Sequence, residues 1–161
     1  MDVAFLTARQ HDLRLPKSVK DRALLTVVAH QPNAPRRPSD DAPFRRMYHF
    51  WFASIVWAEH NDLPQVDASK SEMFIKAGPT ESDAQLDAAM LELLLLIAVR
   101  RLSPDVNTLP EPAAVFKLAN SLAAAGAPHL IDAIFRQSDL MEPTLYVVTR
   151  IFQEAAARTR S

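Results

Sequence analysis

The sequence predicts an all-α fold, a compact bundle of about six to seven helices with orthogonal or irregular packing. Twelve prolines divide the 161-residue chain into long stretches rich in alanine and leucine, which are strong helix formers. The two glycines, Gly78 and Gly126, are each followed closely by a proline, a pattern typical of helix ends. Strict alternation of apolar and polar residues, the pattern of a half-buried strand, is nearly absent.

The elements follow from proline and glycine breaks, capping residues and apolar stripes. Residues 1–16 are ambiguous, because Val3, Phe5 and Leu6 could begin a short helix or a strand, and Pro16 ends this segment. Beyond it we predict seven helices. Their predicted bounds are 18–30, 43–61, 69–77, 82–102, 112–125, 128–137 and 143–158.

Capping signals support two of these helices in particular. Ser69 and Glu72 form a capping box at the start of helix 69–77, and Gly78 would end that helix. Helix 82–102 has acidic residues near its start and two arginines, Arg100 and Arg101, at its end. The helix dipole favours that order of charges.

The chain is expected to form a single domain over residues 1–161, because this length is sufficient for one hydrophobic core. Within it, residues 31–43 contain four prolines and cannot form regular structure. We predict a proline-rich loop or linker there.

Composition and motifs exclude several kinds of chemistry. The absence of cysteine excludes disulfides and thiolate metal sites and is consistent with a cytoplasmic location. The net charge of −1 lacks the basic excess of nucleic-acid binders, and the most apolar window, residues 88–99, is too short to span a membrane. No phosphate-binding loop, metal motif or catalytic motif is present, so we expect no cofactor and favour a protein that is not an enzyme.

The helix predicted at 43–61 contains six of the twelve aromatic residues. At 100° per residue, Tyr48 and Trp51 lie on one apolar stripe, whereas Phe50 and Trp57 point nearly the opposite way. Such a helix is either wrapped by other helices or carries a surface for a partner protein. The candidate interface residues are Arg46, His49, Phe50, Trp57 and His60.

The helix predicted at 82–102 also has two apolar stripes. One contains Leu86, Met90, Leu93 and Ile97, and the other contains Leu91, Leu95 and Val99. Two helices that are apolar nearly all round need more cover than the remaining short helices supply. We therefore predict that both are central and that both contribute to a homodimer interface.

The leading functional hypothesis is a non-enzymatic helical module for protein–protein interaction, such as an adaptor, a secretion-associated chaperone or a regulatory subunit. The alanine, arginine and proline content suggests a bacterial source. One alternative is a small-molecule-binding or enzymatic bundle with a pocket near Tyr48, Trp51, Trp57 and Glu92. A second alternative is a DNA-binding regulator, because residues 118–135 loosely resemble a helix-turn-helix.

Overall fold

The computed structural model describes residues 2–29, 42–103, 105, 108–138 and 152–153. This part of the chain contains four α-helices and two strands, which pair into one antiparallel sheet. The prediction of an all-α bundle of six to seven helices is therefore wrong. In chain order the elements are a 3-10 turn Ala4–Thr7, β1 His11–Leu15, α1 Lys17–Thr26, α2 Met47–His60, β2 Glu72–Ala77, α3 Ala88–Leu102 and α4 Pro112–Ser138.

Strand β2 replaces the helix predicted at 69–77. The capping box does not form, because the backbone N–H and the hydroxyl of Ser69 both donate to the Asp67 carboxylate. The strand that contains the run Met73-Phe74-Ile75 then pairs with β1 through Met73 and Ile75, since aromatic and β-branched side chains fit a half-buried pleated surface.

The register of the sheet contains one irregularity. Leu13 lies opposite Ile75 and Arg14 lies opposite Met73, so Phe74 is an extra residue in β2 and forms a β-bulge. In β1, Leu13 and Leu15 are fully buried. This alternation fixes which face of the short sheet packs on the core.

Helix α4 runs unbroken through Gly126 and Pro128, so the helices predicted at 112–125 and 128–137 are one helix. Neither glycine has a positive φ angle, and neither ends a helix. A Cβ atom on Gly126 would lie 2.0 Å from the backbone oxygen of Ser54 in α2. Gly126 is therefore a point of close approach between α4 and the backbone of α2.

The core lies where α2 and α4 pack together against the sheet. Its largest fully buried side chains include Trp51, Phe50 and Ile55 of α2 and Leu122 and Ile131 of α4. A proline inside a helix removes one backbone hydrogen bond, at a cost of about 3 kcal/mol. The burial of apolar side chains along α4 offsets this cost.

The remaining predicted bounds differ less. Helix α1 ends at Thr26, earlier than predicted, and α3 begins at Ala88, where the Asp87 carboxylate accepts the Met90 N–H as an N-cap. The predicted helix 143–158 lies outside the described residues except for 152–153. The predicted loop 31–43 lies outside them except for 42–43.

Candidate functional site

A cleft of about 520 Å³ opens beside β2, opposite the start of α2. We call it the edge cleft. Its volume is within the range of ligand pockets. It is lined by Lys20, Leu24, Arg46, Met47, Tyr48, Met73, Phe74, Ile75, Glu81, Ser82, Asp83 and Gln85.

Three consecutive residues of β2, Met73, Phe74 and Ile75, line the edge cleft. The outer edge of β2 is the edge that does not face β1. In the described part of the chain, this edge has one backbone partner, since the Ala84 N–H donates to the Lys76 C=O at 2.7 Å. From Glu72 to Ile75 no described strand pairs with it. The Met73 side chain, which lines the cleft, is 45% exposed.

Asp83 holds the turn at one end of the edge cleft. Its carboxylate accepts hydrogen bonds from the hydroxyl and backbone N–H of Thr80, at 2.7 and 3.0 Å, and from the Gln10 amide at 2.9 Å. The Thr80 hydroxyl is the main cause that lowers the pKa of Asp83, and the Gln10 amide adds to it. This carboxylate therefore stays ionised and its acceptor sites are occupied.

The cations of the edge cleft differ in how they are neutralised. Lys20 forms an ion pair with Glu72 at 2.5 Å. Arg46 is exposed, and no described residue forms an ion pair with it. It precedes α2, whose first turn has no side-chain cap. Arg46 is therefore a cation of the cleft without a described carboxylate partner, and the exposed Glu81 is a carboxylate of the same cleft without a described cation partner.

A second cleft of about 600 Å³, the polar cleft, lies between β1 and α4. On its wall the His11 ring stacks on Phe116 with 4.6 Å between ring centroids. Burial lowers the pKa of His11, although Asp12 opposes the shift, so the imidazole is neutral at pH 7. The Arg14 guanidinium binds the Asp12 carboxylate at 2.7 Å and the Ser71 C=O at 3.0 Å.

Asn120 closes the outer edge of β1 at the base of the polar cleft. Its carboxamide oxygen accepts the Arg14 N–H at 2.8 Å and the Trp51 indole N–H at 3.1 Å, and its NH2 donates to the Asp12 C=O at 2.9 Å. The side chain thus bonds the strand as a neighbouring strand would. Since all three contacts are used within the fold, we assign Asn120 a structural role.

The five predicted interface residues do not form one surface. Arg46 and His60 are exposed, His49 and Trp57 are half-buried, and Phe50 is fully buried in the core. The Trp57 ring also contacts Phe152 edge-to-face. Whether the exposed members bind a partner stays a prediction, but Phe50 is not accessible in this conformation.

His49 is half-buried on α2. Burial lowers its pKa most, and the adjacent Arg45 and Arg46 lower it further, whereas Asp87 opposes them. The side chain is therefore neutral near pH 7 and becomes charged only under more acidic conditions than an exposed histidine.

The four residues predicted to line the alternative pocket do not share either of the two clefts described above. Tyr48 lines the edge cleft, whereas Trp51, Trp57 and Glu92 line neither cleft. Trp51 is buried and bonded to Asn120.

The described residues also bear on metal, membrane and DNA binding. Among them, no three His, Asp or Glu side chains are close enough to hold a metal ion, and no helix is long and apolar enough to cross a membrane. The turn required by the helix-turn-helix interpretation does not exist, because residues 118–135 belong to the continuous helix α4.

Helix α3 has an apolar side that faces away from the core. Leu91, Leu94 and Leu95 are buried, whereas Leu93 is 36% exposed and Leu96 is 55% exposed. The predicted stripe with Leu93 and Ile97 is thus divided, since Ile97 is buried.

Sequence reasoning missed the strand edge with Met73, and it also missed Asn120. The Met-Phe-Ile run was the signal for the strand, whereas nothing local marks Asn120, whose partners are far away in sequence. Comparison with known proteins reveals no relative, since no family model, no curated protein and no solved structure matches this chain.

Proposed function

We propose that this protein acts by binding another protein chain through the outward side of α3. This surface, the α3 row, consists of Ala89, Leu93 and Leu96 and ends at Arg100. Spacings of four, three and four residues put these positions on one side of a helix. The observation that carries the proposal is the 55% exposure of Leu96 on a helix whose other side is already buried.

The physical gain comes from removing these leucines from water. Full burial of a leucine side chain is worth about 1.5–3 kcal/mol, and the row offers two that are partly exposed. A stable interface covers about 800 Å² on each partner, so the row alone supports weak or transient binding unless neighbouring surface joins it.

A second copy of this chain is one suitable partner. If two α3 helices pack antiparallel, Leu93 of one copy lies near Leu96 of the other. The exposed Asp87 of the other copy then lies near Arg100, which already pairs with Glu59 of its own chain at 2.6 Å. The narrower roles of adaptor and chaperone have no support in these observations.

The test compares Leu96→Glu with Leu109→Glu, a matched control because Leu109 is 57% exposed and lies outside α3. Sedimentation velocity at high micromolar concentration measures self-association, and affinity capture from lysate measures other partners. We expect wild type and Leu109→Glu to self-associate or recover the same partner, and Leu96→Glu to lose about tenfold or more in affinity. If wild type stays monomeric and all three proteins recover identical material, the proposal is wrong.

The absence of cysteine allows a second, direct measurement. A single Leu96→Cys substitution accepts a thiol-reactive photo-crosslinker at the centre of the row. Crosslinks from this position, but not from Leu109→Cys, would identify the chain that lies on α3.

A further inference from the structure

We propose that the edge cleft binds an extended peptide that carries a carboxylate, and that this peptide adds as a strand to the outer edge of β2 beside Arg46. The site is separate from the α3 row, so it does not depend on the function proposed above.

The backbone of β2 supplies the first reason. Its outer edge already accepts one backbone partner, because the Ala84 N–H donates to the Lys76 C=O, and this short bridge runs parallel to β2. The neighbouring residues Glu72–Ile75 have no described strand beside them. Four residues of strand span about 13 Å, which is enough for a peptide of about four residues to pair with this edge. Main-chain hydrogen bonds to an exposed sheet edge are a general mode of peptide recognition.

The bulge at Phe74 and the exposed Lys76 limit this edge. Proteins use bulges and lysines to prevent strands from pairing indiscriminately at a sheet edge. The pairing segment is therefore short, and side-chain contacts in the cleft must supply part of the affinity. Met73, which is 45% exposed and flexible, together with Leu24 and Tyr48, provides an apolar wall that adapts to different side chains.

A peptide carboxylate would bind at Arg46 and away from Glu81, an exposed carboxylate that also lines the cleft. Lys20 is neutralised by Glu72, and the Asp83 carboxylate already accepts from Thr80 and Gln10. Arg46 lines the cleft and has no carboxylate partner in the described part of the chain. Its planar guanidinium binds a carboxylate through two parallel hydrogen bonds. The carboxylate belongs to an Asp or Glu side chain or to the C-terminus of the peptide, and the two libraries described below distinguish these sources.

Selection from random heptapeptide libraries tests the proposal without knowledge of the natural ligand. One library is displayed with its C-terminus blocked by fusion, and a second is displayed with a free C-terminus. Both are selected on wild type, and the enriched peptides are then measured by fluorescence anisotropy. We expect enriched sequences without proline. Enrichment of an acidic residue in the first library identifies a side-chain carboxylate, and enrichment in the second alone identifies a C-terminal one.

Matched variants connect the binding to the cleft. Arg46→Glu should weaken the enriched peptides about tenfold or more, whereas Arg45→Glu, an exposed neighbour that does not line the cleft, should change affinity less than about threefold. Met73→Asp should also weaken them, and Val66→Asp, at a residue of similar exposure, should not. Circular dichroism and thermal unfolding confirm that each variant is folded.

Three results would overturn the inference. The first is the absence of any enriched peptide. The second is that wild type, Arg46→Glu and Met73→Asp bind the enriched peptides with equal affinity. The third is that wild type binds an enriched peptide equally well when the central residues of the peptide are replaced by proline. The last result would indicate a ligand held by side chains alone, as a small molecule is. Leu96→Glu should keep full peptide affinity, so failure of the α3 row and failure of the edge cleft are distinguishable.

Discussion

The substitution Gly126→Ala tests how closely α2 and α4 pack. On helix propensity alone it should stabilise the protein, because alanine is favoured over glycine by about 1 kcal/mol in a helix interior. The tertiary structure predicts the opposite sign. The added methyl would lie 2.0 Å from the Ser54 oxygen and 2.9 Å from its carbonyl carbon. The first distance is about 1.4 Å short of ordinary contact at 3.4 Å.

The magnitude follows from what must move. The clashing atoms belong to the backbone of α2, so no side chain can rotate away, and the two helices must separate by about an ångström. Overpacking of this kind costs about 3 kcal/mol. After the gain in propensity of about 1 kcal/mol, the free energy of unfolding should fall by about 2 kcal/mol, or about 4–8 °C in melting temperature for a chain of this size.

Urea unfolding of wild type and Gly126→Ala measures this difference. The control is the pair Lys117→Gly and Lys117→Ala, at an exposed position of the same helix, where alanine should be the more stable by about 1 kcal/mol. Ala58→Gly should not rescue Gly126→Ala, because the closest contact is with Ser54. A Gly126→Ala protein as stable as wild type would refute the close helix approach.

Two further predictions concern the buried Asn120 and the half-buried His49. Asn120→Leu leaves the Arg14 N–H, the Asp12 C=O and the Trp51 indole N–H without their partner. Since each such group costs about 1–3 kcal/mol, urea unfolding should show a loss of about 3 kcal/mol or more, and a loss below about 1 kcal/mol would contradict the role of Asn120 at the strand edge. For His49, burial holds the folded-state pKa below the ordinary 6.5. The unfolded chain therefore takes up the proton first, so the stabilisation is complete above about pH 6.5 and is lost as the pH falls through 6.5 towards the folded-state pKa. Between about pH 7.5 and about pH 5.5, His49→Gln should lose less stability than wild type, and parallel losses in the two proteins would contradict this reasoning.

The carboxylates with lowered pKa values act in a different range of pH. Hydrogen bonds from Thr80 lower the pKa of Asp83 below its ordinary 3.8. Its contribution is therefore complete above about pH 4 and is lost only as the pH falls further. This separation allows the histidine effect to be measured without interference from Asp83.

The sequence by itself predicted helical segments that overlap α1, α2 and α3, and it indicated a core helix with aromatic residues on two sides. Those predictions depend on local periodicity and on capping, which act within a few residues. It also indicated that α3 has more apolar surface than one packing side requires, and Leu93 and Leu96 remain partly exposed.

The tertiary structure decided the rest. The Ser69–Glu72 pattern reads as a capping box, but pairing with β1 makes 72–77 a strand, because strand formation depends on a partner that is distant in sequence. Gly126 and Pro128 read as a helix end, but the packing of α4 on α2 carries the helix through both. Asn120 and the edge cleft exist only because residues far apart along the chain meet in space. Local sequence patterns reflect the conformation that a segment prefers in isolation. Burial and long-range pairing determine which of these conformations the segment adopts in the folded chain.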